Sequence, residues 1–297
     1  LRWDLTTNTE LSAWSSANNL HSDSVTSFRL SGNQLLLTSE DAGLARYDWN
    51  TGFWLSTWND GNWLTSNNVA DIALSNNILM ILNGGAVQTY NTANGVFLQT
   101  YALADYGLID DGRKLLTWPD IGVRSPSSEI VLISDGGGDL AILDAAATPI
   151  YQGNMLLASS PTSADMDDVV ELDGVLFVAA DGIMNRFDTA ESRWLTPKLI
   201  GDDVNDLITD GVHVYIAGES TGAHKMLSNG TIVQTWSSSD GMFSDNVNRL
   251  AISGNNLLSV NSDSAISIID ITSNSITSYD ENSGLASSLI GDIATFG

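Results

Sequence analysis

The chain has 297 residues, 36 acidic against 11 basic, a net charge of −25 and no cysteine. Such a polyanion repels DNA and RNA, so nucleic-acid binding is excluded on electrostatic grounds; disulfides and cysteine-based zinc sites are excluded by composition. Hydrophobic residues make up 43% of the chain, enough for a sizeable core, yet no run reaches the roughly 18–20 apolar residues of a membrane helix.

Taken in order, the chain repeats itself. Residues 1–17 read as two strands around a turn, with Arg2-Trp3-Asp4 before Thr6-Thr7-Asn8 and Trp14 beyond. The loop Asn19 to Ser24 then enters a strand over Val25–Leu30, Ser31-Gly32-Asn33 turns the chain, and Gln34–Thr38 is a second, apolar strand. Gly43 to Trp58 supplies a third strand, a turn at Asn50 to Gly52 and a fourth strand. Period-two alternation predicts Trp54, Ser56 and Trp58 on one face of it. The strand-Asp-turn-strand pattern returns with markers at 4, 48, 91, 144, 188, 228 and 270. A repeat of about 40–45 residues carrying four short strands is the signature of a propeller blade.

The next unit places strands at Val69–Leu74, Ile78–Leu82, Ala86–Tyr90 and Val96–Tyr101. The third is longer and degenerate: a first strand within Lys114–Trp118, an insertion over Pro119–Ser128, then Glu129–Ser134 and Asp139–Leu143. Ala145–Ala164 fits worst. Three regular units follow, with first strands at Val169–Leu172, Val204–Thr209 and Val247–Ile252. Ser283 to Ile293 copies the opening of a unit, which complements the strands at the N-terminus.

The expectation is therefore an all-β, seven-bladed β-propeller of four-stranded antiparallel blades, forming one domain over residues 1–297. Its blades run about 18–58, 64–101, 105–151, 155–196, 200–236 and 242–279, and a closing blade combines 284–297 with 1–17. Closure through both termini would remove exposed sheet edges.

The repeat resembles a known family. Asn19-Leu20-His21-Ser22-Asp23-Ser24-Val25, then Gly32-Asn33-Gln34-Leu35, then Gly43 to Gly52, resemble the two-component regulator propeller repeat. The likeness is good in the first, second and last complete units and weak from 105 to 165. A tryptophan usual in that family's second strand is replaced near Leu36 and Met80. The resemblance implies a periplasmic or secreted propeller, in some chains the sensor part of a hybrid histidine kinase.

Several residues are candidates for chemistry. Asp4, Asp48, Asn91, Asp188 and Asp270 open turns, where a side-chain oxygen accepts backbone N–H bonds. Arg2, Arg46 and Arg186 recur at one repeat position, as structural residues do. His21, His213 and His224 are the candidate bases of a lyase, without an evident partner in sequence. A sialidase is rejected, because Thr235 to Gly241 orders its box wrongly, and no Walker loop, zinc-binding helix or nucleophile elbow occurs. Asp135 to Asp139 and Asp165 to Asp168 offer oxygen ligands without the spacing of a calcium loop.

The strongest candidate site lies two residues into the first strands, where Ser27, Asp71, Asp206, Arg249 and Asp292 follow Val25, Val69, Val204, Val247 and Ile290. First strands of a propeller line its channel, so these side chains are expected to gather at the channel mouth. There, neighbouring carboxylates would favour Ca²⁺, Mg²⁺ or a polyol.

The functional expectation is a non-catalytic extracellular or periplasmic binding or scaffold propeller. Its partner is a protein or carbohydrate, with no nucleic acid and no membrane insertion, as a monomer or as part of a larger chain. No cofactor is required. The alternatives are a ligand-sensing receptor domain and a carbohydrate-active or lyase-type enzyme.

Overall fold

The computed structural model describes residues 2–4, 9–12, 14–18, 20–75, 78–92, 94–106, 108, 112–119, 129–135, 139–143, 149–154, 166–191, 193–262, 265–283, 285, 290 and 293. The chain folds as two compact units. One comprises residues 14–163; the other comprises residues 1–13 with 164–297.

The unit of residues 14–163 holds three four-stranded antiparallel sheets. The first is β3 (Val25–Ser31), β4 (Gln34–Ser39), β5 (Gly43–Asp48) and β6 (Phe53–Trp54). The second is β7 (Val69–Ser75), β8 (Ile78–Asn83), β9 (Ala86–Asn91) and β10 (Phe97–Ala102). The third is β11 (Gly112–Pro119), β12 (Glu129–Asp135), β13 (Asp139–Leu143) and β14 (Pro149–Asn154).

The other unit contains two more four-stranded sheets. These are β20 (Val204–Thr209), β21 (His213–Gly218), β22 (Ala223–Leu227) and β23 (Ile232–Trp236), and then β24 (Val247–Ser253), β25 (Asn256–Asn261), β26 (Ala265–Asp270) and β27 (Ile276–Tyr279). It also holds a five-stranded sheet, β15 (Met166–Leu172), β16 (Val175–Ala180), β17 (Ile183–Asp188), β18 (Arg193–Trp194) and β19 (Lys198–Leu199). A two-stranded ladder joins β1 (Arg2–Asp4) to β2 (Thr9–Ser12).

The fold is thus an all-β β-propeller, but with five blades of four-stranded sheets among the described residues, not the seven expected. The markers count hairpins rather than blades. Asp4 belongs to a hairpin with two described strands. Around Asp188 the outer strand splits, as it does after Trp54 where no proline stands, and the chain re-pairs beyond Pro197 through Ile183↔Leu199 and Met184↔Lys198. Residues 284, 286–289, 291–292 and 294–297, expected to complete a closing blade, lie outside the described residues.

Second strands carry the core. In β4, β8, β16, β21 and β25 the last five residues are all buried, so these strands are covered on both faces, their mostly apolar residues joined by buried Thr38, Ser39, Asn83, Ser259 and Asn261. Facing sheets interleave in layers. Leu36, Leu44 and Trp58 meet Ile72, Ile81 and Tyr90, and in the other unit Tyr215 and Trp236 meet Val247, Leu257 and Ile269. Trp54 and Trp58 do not share a face. Trp54 packs with Trp14 and Tyr47, whereas Trp58 packs on Tyr90 and bridges back to Leu44. The reason lies between them: Leu55 N–H still donates to the Arg46 carbonyl at 2.8 Å, but the pairing then slips by one residue, from Tyr47↔Trp54 to Leu44↔Trp58, while Arg46 holds Ser56 through its Oγ at 3.0 Å.

Candidate functional site

The six described first strands share an irregularity. Register shifts fall at Val25/Ser27, Val69/Asp71, Gly112/Lys114, Met166/Asp168, Val204/Asp206 and Val247/Arg249. A bulge inserts one unpaired residue and re-aims its neighbours. In these strands the re-aimed polar groups reach the next first strand. Asp71 Oδ2 accepts the Leu115 N–H at 3.1 Å, and Asp168 and Asp206 accept the N–H groups of Leu207 and Leu250, each at 2.7 Å. The residue before adds a second tie in two strands: Thr26 Oγ1 donates to the Val69 carbonyl at 2.7 Å, and Asn205 Nδ2 to the Val247 carbonyl at 2.9 Å.

The candidate positions thus form clasps between consecutive sheets. Asp71 is buried; its Oδ1 accepts the Ile72 N–H at 2.8 Å and lies 3.5 Å from Arg29. Arg29 also donates to Ser27 Oγ at 3.2 Å, so Ser27, Arg29 and Asp71 form one polar group. In the other unit Arg249 stands where an Asp would and turns back, donating to the carbonyls of Asn205 at 3.1 Å and Asn248 at 2.7 Å. Asp292 lies outside the described residues. Sequence reasoning named Asp168 only among the oxygen-rich stretches and did not place it with these positions, although it follows Met166 at the same offset at which Asp71 follows Val69. It also missed Arg29, whose position carries no arginine in the other units.

The loops entering first strands are pinned by a second repeat rule. Two residues before the first-strand valine stand Asp23, Asn67 and Asp245. Asp23 accepts the Ser16 N–H at 2.7 Å and its hydroxyl; Asn67 Oδ1 accepts the Asp60 N–H at 2.9 Å; Asp245 accepts the Ser238 N–H at 2.5 Å and its hydroxyl at 3.0 Å. Further bonds fix the loop of residues 59–68. The Tyr90 hydroxyl donates to the Trp63 carbonyl at 2.5 Å, and Thr65 N–H donates to Gln88 Oε1 at 2.9 Å. On these fixed loops, Trp63 is 50% exposed and Phe243 43% exposed. In the loop after β27, Asp280 accepts the Ser283 N–H at 2.9 Å.

The histidines have partners that the sequence did not show. His224 is buried between two hydroxyls: Thr221 Oγ1 lies 2.8 Å from Nε2 and Thr235 Oγ1 2.9 Å from Nδ1. Thr221 donates in turn to Asp202 at 2.8 Å. Burial lowers the His224 pKa, and the Asp202 charge only partly opposes this, which favours the neutral ring. His213 lies 3.2 Å from Asp210, which also accepts from the Tyr215 hydroxyl at 2.9 Å. His21 Nε2 approaches the Gly43 carbonyl at 3.4 Å, and burial lowers its pKa also.

The turn aspartates act as read from sequence. Asp48, Asp188 and Asp270 each accept two backbone N–H groups, from the second and third residues beyond. Arg46 and Arg186 brace outer strands by donating to Ser56 and to the Thr196 carbonyl. Of the two oxygen-rich stretches, residues 136–138 and 165 lie outside the described residues, and Asp168 is a clasp. Among the described residues no group of three or more His, Asp or Glu is placed to hold a metal ion.

No family model matches the sequence, and no curated protein matches it. Solved structures do. A crystal structure of the computationally designed Ika8 protein, in its crystal packing No. 1 in P63, superposes with a TM-score of 0.65 at 15% sequence identity, over 88% of this chain and 75% of that one. At that identity the likeness speaks for the fold alone, and a fold does not fix a function.

Proposed function

We propose that this propeller is a non-catalytic binding or scaffold module of the extracellular or periplasmic space, whose ligand meets the loops that enter the first strands. The observation that carries this reading is the pairing of pinned loops with exposed aromatics, Trp63 above all. A rigid, exposed indole offers a large contact area at low entropic cost, which suits the apolar face of a sugar ring or an extended protein segment. The histidine surroundings favour the non-catalytic reading, since the ring nitrogens of buried His224 face structural hydroxyls and half-buried His213 faces a turn carboxylate. The acidic, lysine-poor, cysteine-free composition and the resemblance to the regulator propeller repeat support the location.

A panel of soluble oligosaccharides, titrated with and without Ca²⁺ or Mg²⁺ while tryptophan fluorescence is followed, tests the reading. A saturable change is expected in the wild type, weakened by about tenfold in Trp63→Ala, which corresponds to the loss of one good aromatic contact. A panel without any binder, or undiminished binding by Trp63→Ala, would remove the loop site.

A further inference from the structure

The outer strands of two sheets share one sequence pattern. Asn94-Gly95-Val96-Phe97-Leu98-Gln99-Thr100-Tyr101 ends in β10, and Asn229-Gly230-Thr231-Ile232-Val233-Gln234-Thr235-Trp236 ends in β23. Both begin with the same turn, in which Asn94 Oδ1 accepts the Val96 N–H at 3.0 Å and Asn229 Oδ1 the Thr231 N–H at 2.9 Å. Each strand is hydrogen-bonded to the sheet on one side, and among the described residues no strand pairs with the other side.

Such an edge presents a row of backbone donors and acceptors to any extended chain. Proteins normally blunt it by making the strand very short or by placing charge on it. Elsewhere in this chain the first device is used: β6 and β18 are two residues long. At β23 charge stands beside the turn that enters the strand. Gly230 lies against Lys198 and Arg186 of the preceding sheet, so close that a Cβ added there would stand 2.8 Å from Lys198 Cγ and 3.3 Å from Arg186 Cζ. Neither device protects β10. It is six residues long, carries no charge and no proline, and is exposed on both faces, with Val96, Phe97 and Leu98 43–52% exposed in succession.

Charge selects the occupant. The sheet that carries β10, residues 69–102, holds no lysine or arginine, and the exposed Asp105 stands in the turn directly after the strand. A second copy carries the same net charge of −25, which opposes self-association. We propose that the free edge of β10 is a strand-addition site for an extended cationic peptide segment, one that alternates β-branched and basic residues. Main-chain hydrogen bonds to the edge would supply affinity. Apolar side chains of the segment would cover Phe97 and Leu98, and its basic residues would face the acidic surroundings.

The probe is a short acetylated peptide of alternating valine and lysine, compared with the same peptide N-methylated at every second residue along one edge. The two carry the same charge, but the second cannot donate along that edge. Fluorescence anisotropy with the unaltered chain should show the first binding and the second weaker by roughly tenfold or more, since at least one or two hydrogen bonds are lost. Leu98→Lys with Thr100→Lys should weaken the first peptide likewise, whereas Val233→Lys on β23 should leave it unchanged. Equal binding of the two peptides would reduce the contact to unspecific charge attraction and overturn the site, as would no binding at all. If the chain alone forms a dimer in sedimentation that Leu98→Lys abolishes, the edge belongs to a second copy and the assignment of a cationic partner is wrong.

Discussion

A carboxylate buried at 4% exposure, like that of Asp71, must be hydrogen-bonded or neutral, because desolvation penalises the charge. Asp71 meets that demand with two backbone N–H groups and a guanidinium, and Asp168 and Asp206 accept a backbone N–H of the next first strand at the same offset. The bulge makes this possible: without the inserted residue the carboxylate would stand over its own sheet. Removing such an acceptor leaves a backbone donor without its partner, which costs about 1–3 kcal/mol. Asp206→Ala should therefore lower stability by that amount in urea unfolding and speed hydrogen exchange at the Leu250 amide. Ser27→Ala, which loses only a 3.2 Å bond from the half-exposed Arg29, should cost less than about 1 kcal/mol. Equal costs for the two would mean that the clasp is not the main role of Asp206.

At the scale of the element, the hairpin of third and fourth strands is where sequence and structure agree and part. Its turn was legible, because Asp48 and Gly52 have turn chemistry that local geometry dictates. The second strands were legible as apolar runs, and Asp71 and Asp206 as a repeated polar position. The face of Trp58 was not legible, because alternation holds only while the register is kept, and the pairing slips by one residue between Trp54 and Trp58. Nor was the destination of Asp71 and Asp206, since a bulge has no residue signature and a clasp spans 44 residues of sequence. Blade number failed for a related reason: a marker reports a turn, while a blade is a tally of paired strands. The end of the outer hairpin arm comes close to the start of the third strand, and only glycine fits there. A Cβ on Gly43 or Gly222 would stand 2.1 Å from the carbonyl oxygen of Trp58 or Trp236, at φ of +84° and +86°. Gly32 has a positive φ too, +58°, but open space beside it. Gly32→Ala should cost about 1–2 kcal/mol from conformation alone. Gly43→Ala should cost clearly more, read as a lower urea midpoint at unchanged m-value. Similar midpoints would show that the hairpin yields and that the close approach is soft.

For the whole molecule, the sequence sets the electrostatics more plainly than any site. With a net charge of −25, repulsion is spread over the surface, and ion pairs such as Arg29–Asp71 at 3.5 Å relieve little of it. Many of the aspartates are also held close to backbone: Asp202, Asp210, Asp270 and Asp280 accept N–H or hydroxyl bonds within turns and loops, and their pKa values lie below the ordinary carboxylate value. Hydrogen bonding thus favours the ionised form of these four groups. Screening by salt relieves long-range repulsion without touching those bonds. The Debye length shrinks from about 30 Å at 0.01 M salt to about 8 Å at 0.15 M, which removes repulsion between distant charges and leaves the short clasps and turn bonds intact. The melting temperature should therefore rise with sodium chloride over that interval and flatten beyond it. Each kcal/mol relieved should raise it by about 2–4 °C for a unit of some 150 residues. Differential scanning calorimetry at a series of salt concentrations checks this. A flat or falling curve would mean that attractive pairs, rather than unrelieved carboxylate repulsion, dominate the long-range field.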